Sequence, residues 1–168
     1  MFINNKTSCC RYNIKYKFII SNINRNQFRK DIPSTILAFA QFHAKTKTSP
    51  SPFLYLHMNP DDMQGWNLRT IFQQTHLVEF EDYMFTPPDL IKNPPYCNID
   101  LISCRNLLIY MNPVLQKKVF SVLHFGLQQG GYLFLGSSEN ANILKSNFSE
   151  ISKKWKIFKS TKARQSIR

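Results

Sequence analysis

Apolar and polar residues follow one another along this chain in blocks that predict strands and helices in turn. In the first third, KYKFIISNI and SPFLYLHM are apolar enough for strands, and PSTILAFAQFHAKT between them has the spacing of a short helix. A Ser/Pro-rich stretch, TKTSPSP, marks a linker before the second strand. Further on, Tyr83–Thr86 is predicted as a short strand that stops at Pro87-Pro88, and Ile99–Ser103 as another strand.

The clearest prediction is a helix that begins after residue 112. Asn112 suits the N-cap position, and Pro113 suits the first helical position. Apolar residues then recur at helical spacing and define one buried stripe: Leu115, Val119, Val122, Leu123 and Leu127. We expect the helix to end at Gly130-Gly131.

A buried strand follows this helix. Tyr132–Leu135 is almost wholly apolar, which is typical of a central strand covered on both faces. Trp155–Phe158, within KKWKIFK, is predicted as a last, edge-like strand with lysines outside. Strand, helix and strand joined by short turns form the repeat of a parallel sheet, so the predicted fold class is α/β.

Composition places the chain among globular proteins of one domain. It has 168 residues, of which 43% are hydrophobic and 14% aromatic. No apolar run reaches the roughly 18 residues that span a bilayer, so we do not expect a membrane-embedded protein. The start, MFINNKTSCCRYNIKYKFII, lacks the features of a secretory signal, which favours a cytoplasmic location. The four cysteines and four histidines show no metal-binding spacing, and we predict neither a metal site nor a disulfide framework.

The net charge of +12 is unevenly distributed. Residues 1–50 carry nine Lys and Arg against one acid, and residues 151–168 carry seven against none. Basic ends on a nearly neutral body are compatible with a nucleic-acid or acidic protein partner, but they are more often solvated tails that keep a chain soluble.

Glycines are as uneven as the charge. There are five, at Gly65, Gly126, Gly130, Gly131 and Gly136, and none occurs in the first 64 residues. A nucleotide-type cofactor domain usually opens with a strand, a glycine-rich turn and a helix. The first third of this chain cannot build that turn.

Arg105 and Asn106 are the most informative polar residues. They follow the predicted strand Ile99–Ser103 directly, in DLISCRNLLIYMNP. Ligands of open α/β sheets bind beyond the carboxyl ends of the strands. Arg105 can therefore lie at the mouth of a ligand cleft, where its guanidinium could pair with a carboxylate, and Asn106 could offer its amide to a ligand or cap the next turn.

The run NPPYCNIDLISCRNLLIYMNPVLQKKVFSVLHFGLQQGGYLFLGSSE, with the ending KKWKIFK, resembles the C-terminal part of CheR-type chemotaxis methyltransferases. It is most similar to the form found in CheB–CheR fusion proteins, from about Tyr83 to Phe158. The resemblance implies a Rossmann-like fold and S-adenosyl-L-methionine as cofactor. It also implies methylation of glutamate side chains on the cytoplasmic domain of a chemoreceptor or related sensory protein.

The resemblance also implies roles for single residues. Arg105 and Asn106 would lie at the cofactor, as would the pair after the preceding strand, Asp89-Leu90. The family usually has asparagine at the first position of that pair, so an ionised Asp89 would lose donor capacity. Tyr110 resembles the tyrosine near the transferred methyl group and is the candidate catalytic residue. Glu139, in GSSE, matches the family's turn after its strand, and we expect it to order that loop.

The family's first half, with its glycine-rich turn and acidic ribose-binding residue, is not recognisable. We therefore divide the chain into an unassigned basic region at 1–79, the C-terminal part of a CheR-type domain at 80–160, and a basic tail at 161–168. We expect a truncated member, such as a gene fragment or a frame-shifted product, that binds the cofactor weakly or not at all.

Two other functions stay open. A non-enzymatic docking module of a sensory system would explain the lost turn and the retained core. Asn93-Pro94-Pro95-Tyr96 spells NPPY, a motif of amino-methylating DNA enzymes, but it precedes the clearest strand instead of following one. We therefore do not expect a nucleic-acid substrate.

Overall fold

The computed structural model describes residues 17–47, 49–86, 89, 98–139 and 147–162. Within these ranges the chain forms one seven-stranded sheet. Its strands are β1 (Phe18–Ile23), β2 (Pro52–His57), β3 (Tyr83–Thr86), β4 (Ile99–Cys104), β5 (Leu127–Leu135), β6 (Phe148–Ser152) and β7 (Ile157–Ser160). The helices are α1 (Ile32–Lys45), α2 (Leu68–Gln73) and α3 (Pro113–Gly126), with 3-10 turns at Phe28–Lys30 and Leu108–Tyr110.

The order of the strands creates a crevice between β1 and β4, at the carboxyl ends of these strands. The order is β3-β2-β1-β4-β5-β7-β6, and the first five strands run parallel. β7 pairs antiparallel with both β5 and β6. The chain leaves β1 toward β2 on one side and later returns to β4 on the other. This reversal is a topological switch point, beside which open α/β sheets bind their ligands.

Helices cover both faces of the sheet. On one face α3 packs against the central strands through Val119, Phe120 and Leu123, which meet Ile102, Leu133 and Phe158. On the other face α1 and α2 pack against β2 and β3 through Ile36, Phe39 and Phe72, which meet Leu54 and Leu56. The parallel α/β sheet predicted from the sequence is confirmed.

The predicted helix start at residue 112 is confirmed in detail. Asn112 is the N-cap of α3, and its side-chain oxygen accepts a hydrogen bond from the backbone N–H of Leu115 at 2.9 Å. Pro113 occupies the first helical position. Because Pro113 has no N–H, the first turn of the helix has one donor fewer that needs a partner.

The predicted end of the same helix is wrong. The helix ends at Gly126, four residues before the glycine pair, and β5 begins at once with Leu127. Gly130 and Gly131 lie inside β5. Gly130 has a φ of 83°, and a Cβ at position 131 would be 3.0 Å from the carbonyl oxygen of Ile99. Gly130 therefore provides a backbone conformation that few other residues adopt, and Gly131 allows β5 to lie close to β4. Neither glycine ends the helix.

The last predicted strand also needs correction. It runs from Ile157 to Ser160 instead of from Trp155, and it lies between β5 and β6 instead of at the edge. The edge strand at this end of the sheet is β6, which was not predicted from the sequence. Its segment FSEIS has apolar residues only at Phe148 and Ile151, and this spacing does not match the alternation of a strand.

The first third of the chain completes the sheet. Both strands and the helix predicted there are present as β1, α1 and β2. The expectation that the chain carries only the second half of the fold is therefore corrected, because residues 18–57 supply two of the five parallel strands. The missing glycine-rich turn is replaced by a different connection. None of the helices in the described residues is both long and apolar enough to cross a bilayer.

Candidate functional site

A cavity of about 600 Å³ opens between α1 and the sheet face formed by β1 and β4. A volume of this size is typical of sites for small molecules, for which about 300–1,000 Å³ is usual. Side chains from the connection after β1 and from the turn after β4 lie at its mouth. The cavity thus occupies the crevice that the strand order creates.

Alternation along two neighbouring strands gives the cavity an apolar floor and a polar mouth. Ile20 pairs with Leu101, and Asn22 pairs with Ser103, all four on the cavity side. The next residues on this side are Asn24, after β1, and Arg105, after β4. Side chains therefore change from apolar to polar toward the carboxyl ends of the strands.

Two residues that line the cavity each carry a buried side-chain oxygen with no hydrogen-bond partner among the described residues. These oxygens are Oδ1 of Asn22 and Oδ1 of Asn24, whose residues are 5% and 8% exposed. The other side-chain atom of Asn22, its Nδ2, donates to Oγ1 of Thr35 on α1 at 3.3 Å. A buried polar group without a partner costs about 1–3 kcal/mol, so both positions favour a ligand that brings hydrogen-bond donors.

Arg105 lies at the mouth of the cavity, as predicted. Its side chain is exposed, and its guanidinium carbon is 4.8 Å from the ring centroid of Phe134 on β5. Both residues line the cavity. The positive charge is therefore not buried in the core. It lies over an aromatic face, where a cation–π contact orients it.

Asn106 lines the same cavity in a left-handed backbone conformation, with a φ of 53°. Its side chain packs against Gly136, which follows β5. A Cβ at position 136 would be 2.8 Å from the backbone nitrogen of Asn106, so only glycine leaves room for this turn. The sequence pattern GYLFLG thus has its second glycine where the turns after β4 and β5 meet.

Glu139 holds the turn after β4 by its amide groups. It is 3% exposed, and its Oε1 accepts hydrogen bonds from the backbone N–H groups of Leu107 and Leu108 at 2.8 and 2.9 Å. Its Oε2 accepts from the N–H of Gly136 at 3.1 Å. These contacts agree with the loop-ordering role that the sequence analysis expected.

Lys30 holds the same turn by its carbonyl groups. Its Nζ donates to the carbonyl oxygen of Asn106 at 2.6 Å and to that of Arg105 at 3.2 Å. Burial, with Arg29 and Arg105 nearby, lowers the pKa of Lys30, and the opposing charge of Glu139 raises it to a lesser extent. Sequence analysis missed Lys30, since a lysine in a basic region gives no sign of a contact with residues 75 and 76 positions away.

Tyr110 and Asp89 are not among the residues that line the cavity. Tyr110 is 67% exposed, and its ring centroid is 5.6 Å from the guanidinium carbon of Arg29, which does line the cavity. Asp89 is partly buried and follows β3 in the sequence. Leu90 and the NPPY segment lie outside the described residues. The cofactor roles of Asp89 and Leu90 and the catalytic role of Tyr110 stay predictions.

Asn22 and Asn24 were also not predicted from the sequence as residues of the site. A signal was available, because polar residues at the end of the predicted strand KYKFIISNI face the same side as Ile20. Cys104 offers no alternative chemistry, since complete burial raises the pKa of its thiol far above the ordinary value. In the part of the chain that the structure describes, His, Cys, Asp and Glu form no group of three that could hold a metal ion.

Comparison with known proteins gives one family match. The family model described as "CheR methyltransferase, SAM binding domain" matches residues 67–157. A 104.1 kDa protein of Rhodobacter capsulatus is 32% identical over 122 residues, which are 72% of this chain and 12% of that protein. A chemotaxis protein methyltransferase of Vibrio anguillarum is 38% identical over 65 residues, 38% of this chain and 24% of the relative. The matched region thus spans a quarter or less of these two relatives.

Solved structures agree on the fold. An O-methyltransferase family protein from Burkholderia thailandensis superposes with a TM-score of 0.59 at 12% identity, over 96% of this chain and 58% of the other. The N-methyltransferase NodS from Bradyrhizobium japonicum, in complex with S-adenosylhomocysteine, superposes with a TM-score of 0.51 at 15% identity, over 93% and 85%. The predicted Rossmann-like fold is therefore confirmed.

Proposed function

Because this chain belongs to the CheR methyltransferase family, through its S-adenosylmethionine-binding domain, we propose that it binds this cofactor in the cavity beside β1 and β4. We further propose that it serves the methylation of glutamate side chains on the cytoplasmic domain of a chemoreceptor or related sensory protein. The observation that carries the proposal is the position of Arg105 and Asn106 at the mouth of a cavity. Its lining also includes two asparagines whose buried side-chain oxygens have no hydrogen-bond partner within the described ranges.

The cavity lining suits the functional groups of the cofactor. Its hydroxyl, amine and ammonium groups are hydrogen-bond donors, which the oxygens of Asn22 and Asn24 require. Its carboxylate is a partner for the guanidinium of Arg105. The apolar floor of Ile20 and Leu101 can cover the uncharged parts of the molecule. S-adenosylmethionine supplies an activated methyl group when it is bound.

The proposed reaction asks little of the protein's own side chains. A glutamate carboxylate is already ionised at pH 7, so no general base is needed. Alignment and exclusion of water are needed instead. Tyr110 and the guanidinium of Arg29 lie together beside the mouth. We assign them the approach of the substrate carboxylate, with Arg29 as its counter-charge.

The connection after β1 departs from the family pattern and lowers the expected affinity. A glycine-rich turn offers several backbone N–H groups to a ligand. Here the connection carries side-chain groups instead: Asn24, Arg29 and Lys30. We therefore expect weak binding of the cofactor by the chain alone.

Binding of S-adenosylhomocysteine tests the cofactor proposal. Titration calorimetry and thermal unfolding should be measured on the wild type, on Arg105→Ala and on Lys118→Ala, an exposed control on α3. At a hundredfold excess over Kd the wild type should gain about 2.7 kcal/mol of stability. Arg105→Ala should weaken binding much more than folding, and Lys118→Ala should change neither. No heat and no thermal shift with the wild type would overturn the proposal.

Methyl transfer tests the substrate class separately. The protein, with labelled S-adenosylmethionine, is offered a chemoreceptor cytoplasmic segment rich in glutamate and the same segment with glutamines in their place. Label should appear on the first segment only. Capture of the segment with no transfer, with or without cofactor, would favour the docking module over the enzyme.

A further inference from the structure

The turn after β4 is bound on two sides by opposite charges. The ammonium of Lys30 donates hydrogen bonds to the carbonyl oxygens of Arg105 and Asn106. The carboxylate of Glu139 accepts hydrogen bonds from the backbone N–H groups of Leu107 and Leu108. Four consecutive residues thus have a backbone group fixed by a charged side chain from a distant part of the chain.

Lys30 is placed for this contact and not for solvation. It lies in the 3-10 turn directly before α1, is only partly exposed, and lines the cavity together with Arg105. The charged and titratable groups around it are Arg29 on its own turn, Arg105 and Cys104 from β4 and its turn, and Glu139 from the loop after β5. Two of these are cations, so the two carbonyl groups and Glu139 are what stabilise its charge at this place.

Removal of Lys30 would free the part of the turn that orients Arg105. Asn106 has a positive φ, a conformation that non-glycine residues adopt at a cost unless contacts maintain it. This φ angle is defined by the carbonyl carbons of Arg105 and Asn106. The oxygens of the same two carbonyl groups accept the hydrogen bonds from Lys30. Without the ammonium, the guanidinium of Arg105 loses the backbone support that places it over Phe134.

We propose that Lys30 is a positioning residue of the ligand cavity, which acts on the backbone of Arg105 and Asn106 and thereby sets the direction of the Arg105 guanidinium. The inference rests on the proposed function, since it assigns Arg105 to the cofactor. It makes the connection after β1 a working part of the site although no glycine-rich turn is present.

A double-mutant cycle tests this proposal. S-adenosylhomocysteine affinity is measured by calorimetry for Lys30→Met, Arg105→Ala, the double variant, Lys30→Arg and the exposed control Lys118→Met. Lys30→Met and Arg105→Ala should each weaken binding about tenfold, and the double variant little more than either, because the two act as one unit. Lys30→Arg, which keeps a charged donor, should restore binding to within about threefold of the wild type. Losses that add fully in the double variant would overturn the proposal.

The pH profile separates positioning from a purely structural role. Affinity of the wild type should fall as the pH rises toward 10, because Lys30 loses its proton below its ordinary pKa of 10.5. The ligand's own amine titrates in the same range, so the relevant quantity is the difference between the wild type and Lys30→Met. A Lys30→Met variant with reduced stability, unchanged affinity and the same profile as the wild type would refute the positioning role.

Hydrogen exchange keeps the two proposals apart. If the wild type does not bind S-adenosylhomocysteine, the cofactor proposal fails, and the action of Lys30 on the turn is still measured at the amides of Leu107 and Leu108. Faster exchange of these amides in Lys30→Met than in Lys118→Met supports that action. Equal exchange overturns it.

Discussion

The carboxylate of Asp100 accepts a hydrogen bond from the backbone N–H of Ile19, with 2.8 Å between Oδ2 and the nitrogen. The two residues lie on the neighbouring strands β4 and β1. The side chain of Gln128 donates to the other oxygen of Asp100, where the register between β4 and β5 is irregular. A side chain thus replaces a backbone acceptor near the start of β1, and burial raises the pKa of Asp100.

Replacement of Asp100 should distinguish its hydrogen bonds from its charge. Asp100→Ala leaves the N–H of Ile19 without this acceptor and should lower the free energy of unfolding by about 1–3 kcal/mol. Asp100→Asn keeps an acceptor oxygen and removes the partly buried charge, so its stability at pH 7 should stay within about 1 kcal/mol of the wild type. Urea unfolding measures both. Equal, large losses in the two variants would mean that the charge itself is needed.

The same residue predicts a pH dependence. A raised pKa in the folded state means that the folded chain binds this proton more tightly than the unfolded chain. Its contribution to stability is complete below the ordinary pKa of 3.8 and is lost as the pH rises through the higher folded value. Asp100→Asn should remove this part of the acid profile. An unchanged difference between the variant and the wild type at pH 3 and pH 7 would contradict it.

Glu139 should be the most sensitive charged residue of the site. Glu139→Ala deprives three backbone N–H groups of their acceptor and should cost on the order of 3 kcal/mol of unfolding free energy. Glu139→Gln keeps one oxygen toward Leu107 and Leu108 but turns an N–H₂ group toward the N–H of Gly136, so about half of that loss is expected. Urea unfolding checks the order, with exposed Ser138→Ala as the control. A loss in Glu139→Gln equal to that in Glu139→Ala would show that charge decides.

Gly136 should tolerate no side chain. In Gly136→Ala the new methyl group meets the backbone nitrogen and the side chain of Asn106, which should cost on the order of 2 kcal/mol. The exposed neighbour Ser137→Ala should be nearly neutral in the same thermal unfolding experiment. If Gly136→Ala melts with the wild type, the turns after β4 and β5 do not pack as described.

His124 predicts a loss of stability in mild acid. It is 5% exposed in the last turn of α3, with its ring 5.3 Å from that of Phe148, and burial lowers its pKa. The unfolded chain therefore binds the proton more readily. Stability should fall as the pH drops below the ordinary value of 6.5 toward the lower folded pKa. His124→Gln should flatten this decline in urea unfolding between pH 7.5 and pH 5, and an equally steep decline would assign it to other groups.

The sequence predicted those elements whose signals are local. Asn112 and Pro113 predict the start of α3 because an N-cap residue and a proline at the first helical position affect only the adjacent turn of the helix. β1, β2 and β4 could be predicted because most of their residues are apolar, which is typical of buried parallel strands. The prediction from Gly130 and Gly131 was wrong because a glycine pair can occur in an irregular strand as well as at the end of a helix. The close approach of Gly131 to the carbonyl oxygen of Ile99, which identifies the strand, is not visible in the sequence.

The site was predictable only where it follows a strand end. Arg105 was placed at the cavity mouth from its position after the strand Ile99–Ser103 and from the resemblance of its motif. Lys30 was not, because its role depends on contacts with residues 75 and 76 positions away in the sequence. Tyr110 shows the converse, since the resemblance suggested its role while the side chain lies outside the cavity lining.

The contact of Lys30 with the turn after β4 has a consequence for engineering. A chimera that receives a glycine-rich loop in place of residues 24–30 would gain backbone donors for a nucleotide and lose the ammonium that braces Arg105. The two arrangements occupy one position and exclude each other. A successful graft would therefore have to exchange the connection after β1 and the turn after β4 together.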